Sequence, residues 1–490
     1  MSIHAHLSEE AQKRLAAQKR TSTISSIVVA IMVIVLIALV LGFFLIPNIS
    51  KEVPAIVTYK SNSIDDDQVQ EKKVQNQIQR KPSAPPNSQV KVIASTTPSQ
   101  TSIPVPEVEV TSPVAEFGDG DDFGSGWGTA GDGLGGGGFA SIPATMRKRC
   151  SKADRMARVQ EMGGLPETEE TVEKGLEWLK ATQNADGSWG SNNKAAMTGF
   201  AILAYLGRCE TPQSEKYGES CLKGIVWLVN LGMGNEGKLS QSLGNKSWPY
   251  EHSIATYAMC EATTFCKQLS INVPNLPEVT TKAVDFIIAN QHENGGWGYS
   301  YDLSSKSHVD LSVTAWHIQA LKAAMHTGIK FNGITTCKRD AIEYAERMQN
   351  SGHGGFGYSN PNSPAGKKEY FSMTGGGVLS LQMGGKENSS AVRNGVSYIM
   401  DNMKFDFKSE NSDLYALYYE AQALMIRGGR DWQEFNDRIK GSLIPHQNAD
   451  GSWPAPGDAS HGTTQEPYRS CLCILTLEVY YRFLPGTAAN

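Results

Sequence analysis

One short turn recurs four times in the last two-thirds of this 490-residue chain and constrains its fold more than any other feature. The copies begin with Gln, pass through Gly and end in an aromatic residue. They are QNADGSWG (Gln183–Gly190), QHENGGWG (Gln291–Gly298), QNSGHGGFG (Gln349–Gly357) and QNADGSW (Gln447–Trp453). Self-similarity at a period of roughly 50 to 60 residues indicates a stacked or closed repeat, because one unit alone cannot bury its apolar face.

Two kinds of helical segment alternate around these turns. One kind mixes charges with an apolar stripe, as expected of outer helices with a solvated face. These segments are 172–183, 222–231, 283–291, 341–349, 392–402 and a polar run near 432–447. The other kind is apolar and predicts inner helices at 197–206, 254–264, 311–324, 371–383, 414–425 and 471–483. The pattern predicts an all-α fold, an α6/α6 toroid of six helical hairpins around a central cavity.

The turns resemble the QW-type repeats of terpenoid cyclases and protein prenyltransferases over about residues 168–485. The same toroid occurs in the thioester domains of α-macroglobulins and complement. In that superfamily the Gln of the turn hydrogen-bonds backbone and the aromatic ring packs between hairpins. The resemblance therefore implies structural roles for Gln183, Trp189, Gln291, Trp297, Gln349, Phe356, Gln447 and Trp453.

The catalytic motifs of this superfamily are incomplete here. Squalene-type cyclases use Asp-x-Asp-Asp-Thr-Ala, whose middle Asp is the proton donor, and the matching stretch Asp310–Ala315 has Ser312 at that position. Prenyltransferases bind zinc through an Asp-x-Cys pair and a His; here Ser312 replaces the Cys and Arg469 replaces the His. The Gly-Cys-Gly-Glu-Gln thioester sequence is absent. The usual chemistries, a bound metal and a cofactor are therefore not expected.

The rim of the cavity, at the N-terminal ends of the inner helices, carries the candidate site residues. Asp310 and Asp413 are the candidate catalytic carboxylates, with helix capping as the alternative role. The candidate ligand-binding residues are His252, His308, Tyr415, Tyr468 and Arg469. The two histidines are alternatively solvated, the tyrosines core residues, and Arg469 a salt-bridge partner of Asp310 or Glu466 instead of a binder of an anionic headgroup. Glu251 and Tyr370 also fall on this rim.

An uncharged, mostly apolar run at 27–46 matches the thickness of a bilayer core and predicts a transmembrane helix. Lys13, Arg14, Lys19 and Arg20 precede it, whereas Lys51 beside Glu52 follows, so the N-terminus is expected in the cytoplasm. A cleaved signal peptide is the alternative, but no clear cleavage site follows the run. The predicted regions are 1–24 cytoplasmic, 25–47 transmembrane, 48–145 linker and 146–490 toroid.

The linker is rich in Pro and Ser and then in Gly, a composition that predicts disorder. Its layout is similar to that of TonB-type energy-transducing envelope proteins, which implies an envelope partner; a plain spacer is the alternative. A net charge of -5 argues against nucleic acid as a partner.

Eight cysteines all follow the predicted span, where disulfides are permitted. Cys209 and Cys221 flank a polar loop and are the pair to test for a bridge, although the sequence leaves the pairing open. The whole pattern predicts a membrane-anchored, exported protein, in a bacterial inner membrane with its toroid in the periplasm, that binds an isoprenoid or other lipid-like ligand or an envelope protein. The alternatives are a cyclase-like or transferase-like enzyme using a rim carboxylate, and a carbohydrate-active toroid in which Asp310 pairs with Asp413 or Glu466.

Overall fold

The computed structural model describes residues 149–364, 370–458 and 460–482, which are helical and contain no strand. All of them belong to one unit of the chain, Ala84–Asn490. The predicted span at 27–46 and the linker at 48–145 lie outside the described residues. Within the described ranges, no helix combines the length and the apolarity that crossing a membrane requires.

The α-helices of the described part follow one another with short connections. In chain order they are α1 Lys152–Glu161, α2 Thr168–Ala181, α3 Lys194–Gly207, α4 Gly218–Gly234, α5 Trp248–Gln268, α6 Leu276–Ala289, α7 Leu311–Ala324, α8 Ile334–Arg347, α9 Phe371–Met383, α10 Ser390–Asn402, α11 Leu414–Arg427, α12 Gly429–Ile439, α13 Tyr468–Leu477 and α14 Val479–Arg482. The predicted all-α class is confirmed.

The apolar helices form a closed inner ring. Helix α3 packs on α5, α5 on α7, α7 on α9, α9 on α11 and α11 on α13, and α13 returns to α3. The outer helices α2, α4, α6, α8, α10 and α12 pack against this ring. The inner helices are buried on nearly all faces, whereas the outer helices bury one stripe. The described residues thus form an α/α toroid, as the repeat pattern predicted.

The last outer segment is shorter than predicted. Helix α12 ends at Ile439, and a 3-10 turn at Ile444–His446 replaces the predicted continuation to 447. Pro445 prevents the helix from continuing to 447, because it lacks a backbone donor and its ring clashes with the preceding helical turn.

The Gln of each turn connects adjacent outer helices. Its Nε2 donates to a carbonyl in its own turn and to a carbonyl in the first turn of the next outer helix, over 2.7–3.0 Å. The carbonyl pairs are Gly187 and Ser220 for Gln183, Gly295 and Cys337 for Gln291, Gly354 and Ala391 for Gln349, and Gly451 and Thr171 for Gln447. The last pair joins the final repeat to α2, so the same hydrogen bonds that connect the hairpins also close the ring.

The aromatic residue of each turn is buried between an outer and an inner helix. The Trp189 Nε1 donates to the Leu179 carbonyl at 2.7 Å, and its backbone N–H donates to the Thr198 hydroxyl at 3.1 Å. Trp297 and Trp453 repeat both bonds, and Phe356 repeats the backbone bond. The hydroxylated residue near the start of the inner helix therefore accepts from the turn. The structural roles implied by the resemblance are confirmed.

The turns also require glycine. Gly187 has φ +91°, and a Cβ there would lie 2.7 Å from the Lys223 carbonyl oxygen of the next outer helix. A left-handed backbone and a close helix approach coincide at this position, which only glycine accommodates without strain.

The bridge suggested between Cys209 and Cys221 is not formed, because Cys209 has a different partner. Cys209 bonds Cys150, with Cα atoms 4.8 Å apart, and Cys221 is a free buried thiol. Cys221 lies inside α4, among its buried residues, whereas Cys150 directly precedes α1 beside the C-terminal end of α3. The bridge holds the segment before the first repeat against the ring.

Buried charges fill the end of the ring where the inner helices finish. Arg482 donates to the Tyr257 hydroxyl at 3.1 Å and lies 3.3 Å from the Glu261 carboxylate. Arg149 donates to the Glu261 carboxylate at 3.2 Å and to the Arg482 carbonyl at 3.3 Å. Residues 149 and 482 are thus neighbours at this end, and the open space of the ring lies at the other end.

Candidate functional site

A cavity of about 470 Å³ lies at the centre of the ring, at the N-terminal ends of the inner helices. All six inner helices contribute to its wall: α3 through Phe200, α5 through Tyr250, Glu251 and Ile254, α7 through Ser312 and Trp316, α9 through Met373, α11 through Tyr415, and α13 through Tyr468. Loop residues, among them Tyr299, Tyr358 and His461, complete it. The wall is mostly aromatic and apolar.

Aromatic packing closes the cavity on its inner side. The Trp316 ring packs edge-on against Phe200 at 5.3 Å between centroids and stacks on Tyr418 at 5.5 Å. Beyond it, Gln319 accepts from the Tyr418 hydroxyl and donates to the Tyr419 hydroxyl, each over 3.3 Å. The cavity is therefore a pocket that opens toward the N-terminal rim and does not continue through the ring.

Asp310 lies behind the cavity wall as the N-cap of α7. Its Oδ1 accepts from the Val313 N–H at 3.1 Å and from the Ser312 hydroxyl at 2.5 Å, and the residue is fully buried. The capping role weighed for this carboxylate is confirmed. Asp310 is connected to the cavity by its hydrogen bond with Ser312, because Ser312 lines the cavity.

His308 pairs with Asp310 from the outside. Its Nε2 lies 3.1 Å from Asp310 Oδ2, and its side chain is 47% exposed. Its ring stacks on Tyr299 at 5.5 Å between centroids. The hydrogen bond to Asp310, together with the negative charge of that carboxylate, raises the pKa of His308. His308 does not line the cavity but lies directly outside it.

Asp413 is the N-cap of α11 and makes the corresponding contacts on the other side of the ring. It accepts from the Ala416 N–H at 3.0 Å and the Ser372 hydroxyl at 2.7 Å, and His461 Nδ1 lies 3.3 Å away. Burial opposes ionisation, but the hydrogen bond and charge of His461, together with the hydrogen bonds from Ala416 and Ser372, outweigh it and lower the pKa of Asp413. Here too the cap is confirmed, and His461 is the group that faces the cavity.

Tyr415 and Tyr468 line the cavity, as a role in ligand binding requires. Both lie in the first turn of their helices, and Tyr468 packs against Phe200 at 5.2 Å between ring centroids.

His252 and Arg469 are turned away from the cavity. His252 Nδ1 accepts from the Leu239 N–H at 3.0 Å and Nε2 lies 3.1 Å from the Ala283 carbonyl, so the backbone occupies both nitrogens. Burial lowers the pKa of His252 to about 3, and the ring is neutral. Arg469 donates to the Trp453 carbonyl at 2.7 Å and lies 2.7 Å from Glu466. The salt bridge considered for Arg469 is confirmed, with Glu466 as its partner. Neither His252 nor Arg469 is placed to bind a ligand in the cavity.

Glu251 is the carboxylate that the cavity wall itself contains, among the described residues that line it. It accepts from the Ser240 hydroxyl at 3.0 Å and the Ala195 N–H at 3.2 Å. Burial raises the pKa of Glu251. A pair of carboxylates facing each other across this wall, which a carbohydrate-active site would need, is not present among those residues.

Three wall tyrosines were not singled out from the sequence. Tyr299 and Tyr358 hydrogen-bond each other through their hydroxyls, and Tyr250 lies 2.6 Å from Ser312 Oγ. Two of them had a sequence signal, because Gly-Trp-Gly-Tyr and Gly-Phe-Gly-Tyr end two of the repeated turns at Tyr299 and Tyr358.

Comparisons with known proteins give a likeness of structure only. No protein-family model matches the chain, and no curated protein matches it. Among solved structures, a variant of the type II terpene cyclase MstE from Scytonema, in complex with geranylgeranyl dihydroxybenzoate as substrate, is 12% identical. It has a TM-score of 0.41 and covers 64% of this chain and 97% of its own.

A second MstE variant from Scytonema, in complex with merosterolic acid A as product, is 11% identical with a TM-score of 0.40 and covers 68% of this chain and 98% of its own. The inner ring and the outer helices packed against it follow from contacts among this chain's own helices.

Proposed function

We propose that the toroid binds an apolar, isoprenoid-like molecule in the aromatic cavity at the rim of the inner ring. The observation that carries the proposal is the wall: seven aromatic side chains, two methionines and Ile254 enclose about 470 Å³. Small-molecule sites typically occupy about 300–1,000 Å³ and are lined in this way. Burying an aliphatic chain there removes it from water, which stabilises the complex by about 0.8 kcal/mol per CH₂ group.

The test is mass spectrometry of the organic-extractable material that the full-length protein retains when it is purified from its own host in detergent. A matched pair of variants separates cavity binding from surface binding. Ala196→Phe fills the cavity, which Ala196 lines. Ala181→Phe makes the same change at an exposed position at the end of α2.

We expect one stoichiometric isoprenoid or related lipid with the wild-type protein and with Ala181→Phe, and its loss with Ala196→Phe. Equal retention by both variants would place the lipid elsewhere on the protein. No enrichment over an unrelated membrane protein would reject the proposal.

We also propose that residues 27–46 anchor the protein in a membrane and that the toroid is exported. The apolar run supports the anchor, and the Cys150–Cys209 disulfide supports export, because such bonds persist in oxidising compartments and are rare in the cytosol. Protease added to spheroplasts should degrade the toroid. Protection of the toroid until the membrane is lysed would contradict export. Binding of an envelope protein through the linker at 48–145 stays a prediction.

A second candidate function is acid chemistry on the bound molecule, and Glu251 favours it. A carboxyl group whose pKa is raised by burial within a cavity wall can hold a proton and donate it to a ligand. Extracts of membranes incubated with the protein should then contain a product that Glu251→Gln does not form, while Asp310→Asn tests whether the cap is needed. Identical products from wild type and Glu251→Gln would remove Glu251 as the acid.

A further inference from the structure

One side of the cavity is a chain of hydroxyl groups that ends on a buried carboxylate. Asp310 Oδ1 accepts from the Val313 N–H and, at 2.5 Å, from the Ser312 hydroxyl. The Ser312 Oγ lies 2.6 Å from the Tyr250 hydroxyl. Ser312 and Tyr250 both line the cavity, whereas Asp310 is fully buried behind them.

The direction of each hydrogen bond in this chain follows from the number of hydrogens available. Ser312 has one hydroxyl hydrogen and gives it to Asp310. Tyr250 must therefore donate its own hydrogen to Ser312. Burial, and next the negative charge of Asp310, raise the pKa of Tyr250 well above its usual value, so this hydroxyl stays protonated. The two oxygens are left with lone pairs alone, and this side of the cavity accepts hydrogen bonds but does not donate them.

The charged residues around the cavity also disfavour an anionic ligand. Among the described residues that line it there is no Lys or Arg. Asp310 and Asp413 lie directly behind the wall, the latter with His461 at 3.3 Å. Arg469, which the sequence suggested as an anion binder, is bonded to Trp453 and Glu466 instead. A carboxylate or diphosphate seated against these hydroxyl groups would meet acceptor oxygens, and the basic side chain that the described wall does contain, His461, is already paired with Asp413.

Aromatic faces favour the opposite charge. Trp316, Tyr415 and Tyr468 line the cavity beside the hydroxyl chain. The faces of such rings attract a cation by about 0.5–2 kcal/mol, more when the site is desolvated. An ammonium group would therefore find both acceptors and aromatic faces here.

We propose that the molecule bound in this cavity is an amphiphile whose polar end is a hydrogen-bond donor, an alcohol or an ammonium group, seated against Tyr250 and Ser312. The inference rests on the proposed function and adds to it the chemistry of the ligand's polar end. It excludes lipids that end in a carboxylate or a diphosphate.

Four probes that share one apolar chain test this directly: farnesol, farnesylamine, farnesoic acid and farnesyl diphosphate. Each is titrated into the full-length wild-type protein in detergent, with a detergent-only blank, by isothermal calorimetry. Loss of even one buried hydrogen bond is worth about tenfold in affinity. Farnesol and farnesylamine should therefore bind at least about tenfold more tightly than the acid and the diphosphate.

The four titrations distinguish failure of isoprenoid binding from failure of the donor-ended ligand. If none of the probes binds, the cavity does not take an isoprenoid chain, and both proposals are rejected. If all four bind equally, or the acid and diphosphate bind best, lipid binding stands and the donor-ended ligand is rejected.

A matched pair of variants attributes the preference to the hydroxyl chain. Ser312→Ala breaks the chain and releases the Tyr250 hydrogen, so the ratio of farnesol to farnesoic acid affinity should fall by about tenfold. Ser397→Ala removes a hydroxyl from the exposed face of the outer helix α10, where it lies 3.5 Å from Asp401 and does not line the cavity. It should leave the ratio unchanged. Equal ratios in both variants would overturn the assignment, and the wild-type comparison decides the proposal even if Ser312→Ala does not fold.

Discussion

The hydrogen bonds of Gln447 make ring closure measurable. Its amide donates to Gly451 in its own turn at 3.0 Å and to Thr171 of α2 at 2.9 Å, across a sequence separation of 276 residues. The Gln447→Ala variant removes both bonds and leaves two carbonyl groups in a partly buried place without this donor. Each bond is worth about 0.5–1.5 kcal/mol, so we expect a loss of about 1–3 kcal/mol in the free energy of unfolding.

Two controls make the result specific. Asn448→Ala removes a neighbouring amide that is exposed and bonds only the Ser452 hydroxyl of the same turn, at 2.9 Å, so its cost should stay within about 0.5 kcal/mol. Gln183→Ala removes the equivalent two bonds inside the ring, to the Gly187 and Ser220 carbonyls, and also the bond that Gln183 accepts from the Ser220 hydroxyl at 2.8 Å, so it should cost at least as much as Gln447→Ala.

Urea unfolding of the full-length protein, followed by tryptophan fluorescence, gives these free energies. A cost for Gln447→Ala that equals the Asn448→Ala control, together with a normal cost for Gln183→Ala, would refute the reasoning. It would mean that the last repeat does not bond the first in solution and that the ring is open at that joint.

Three further predictions concern the disulfide and two histidines. Replacing Cys150 and Cys209 by Ser opens a link with a sequence separation of 59, which the chain-entropy relation values at about 4 kcal/mol. A reductant should lower the unfolding midpoint of the wild type and leave that of the variant unchanged; an insensitive wild type would contradict the bond. Burial lowers the pKa of His252 to about 3 from 6.5. Neutral His252 therefore contributes fully to the free energy of unfolding above pH 6.5, and this contribution is lost as the pH falls. Linkage gives a loss of about 2 kcal/mol in the free energy of unfolding between about pH 6.5 and 5. The His252→Gln variant should not show this loss. If the free energies of wild type and variant fall in parallel with pH, the prediction is refuted. His308 has the opposite sign, because its raised pKa gives stability that is complete below pH 6.5 and is lost as the pH rises. His308→Asn should remove this alkaline loss, and an unchanged profile would contradict the pairing with Asp310.

The ring was predictable because its signals repeat. Each inner helix carries few charged residues, whereas each outer helix mixes charges with one apolar stripe, and the Gln and aromatic residue of the turns recur at similar distances from the helices they contact. A pattern seen in several copies fixes which helices are neighbours. The Cys150 bridge has no such repetition, and cysteine spacing alone does not determine a partner.

The site was predictable only in part, because an inner helix gives no signal of its rotation. Successive residues differ by about 100° around a helix axis, so neighbours face different surroundings. Glu251 therefore lines the cavity while His252 faces the Ala283 carbonyl of α6, and Tyr468 lines it while Arg469 faces the Trp453 carbonyl. Because these helices are buried on nearly every face, no exposed face fixes their rotation, and the sequence does not determine which of two neighbouring rim residues points into the cavity.

A closed ring also has consequences for how the chain can change. An open solenoid gains or loses repeats at its ends, whereas here each hairpin has two neighbours and removing one would separate α13 from α3. The number of hairpins is thus fixed by closure, and variation is confined to loops and wall residues. The cavity, which is built from all six inner helices, therefore depends on every hairpin of the ring.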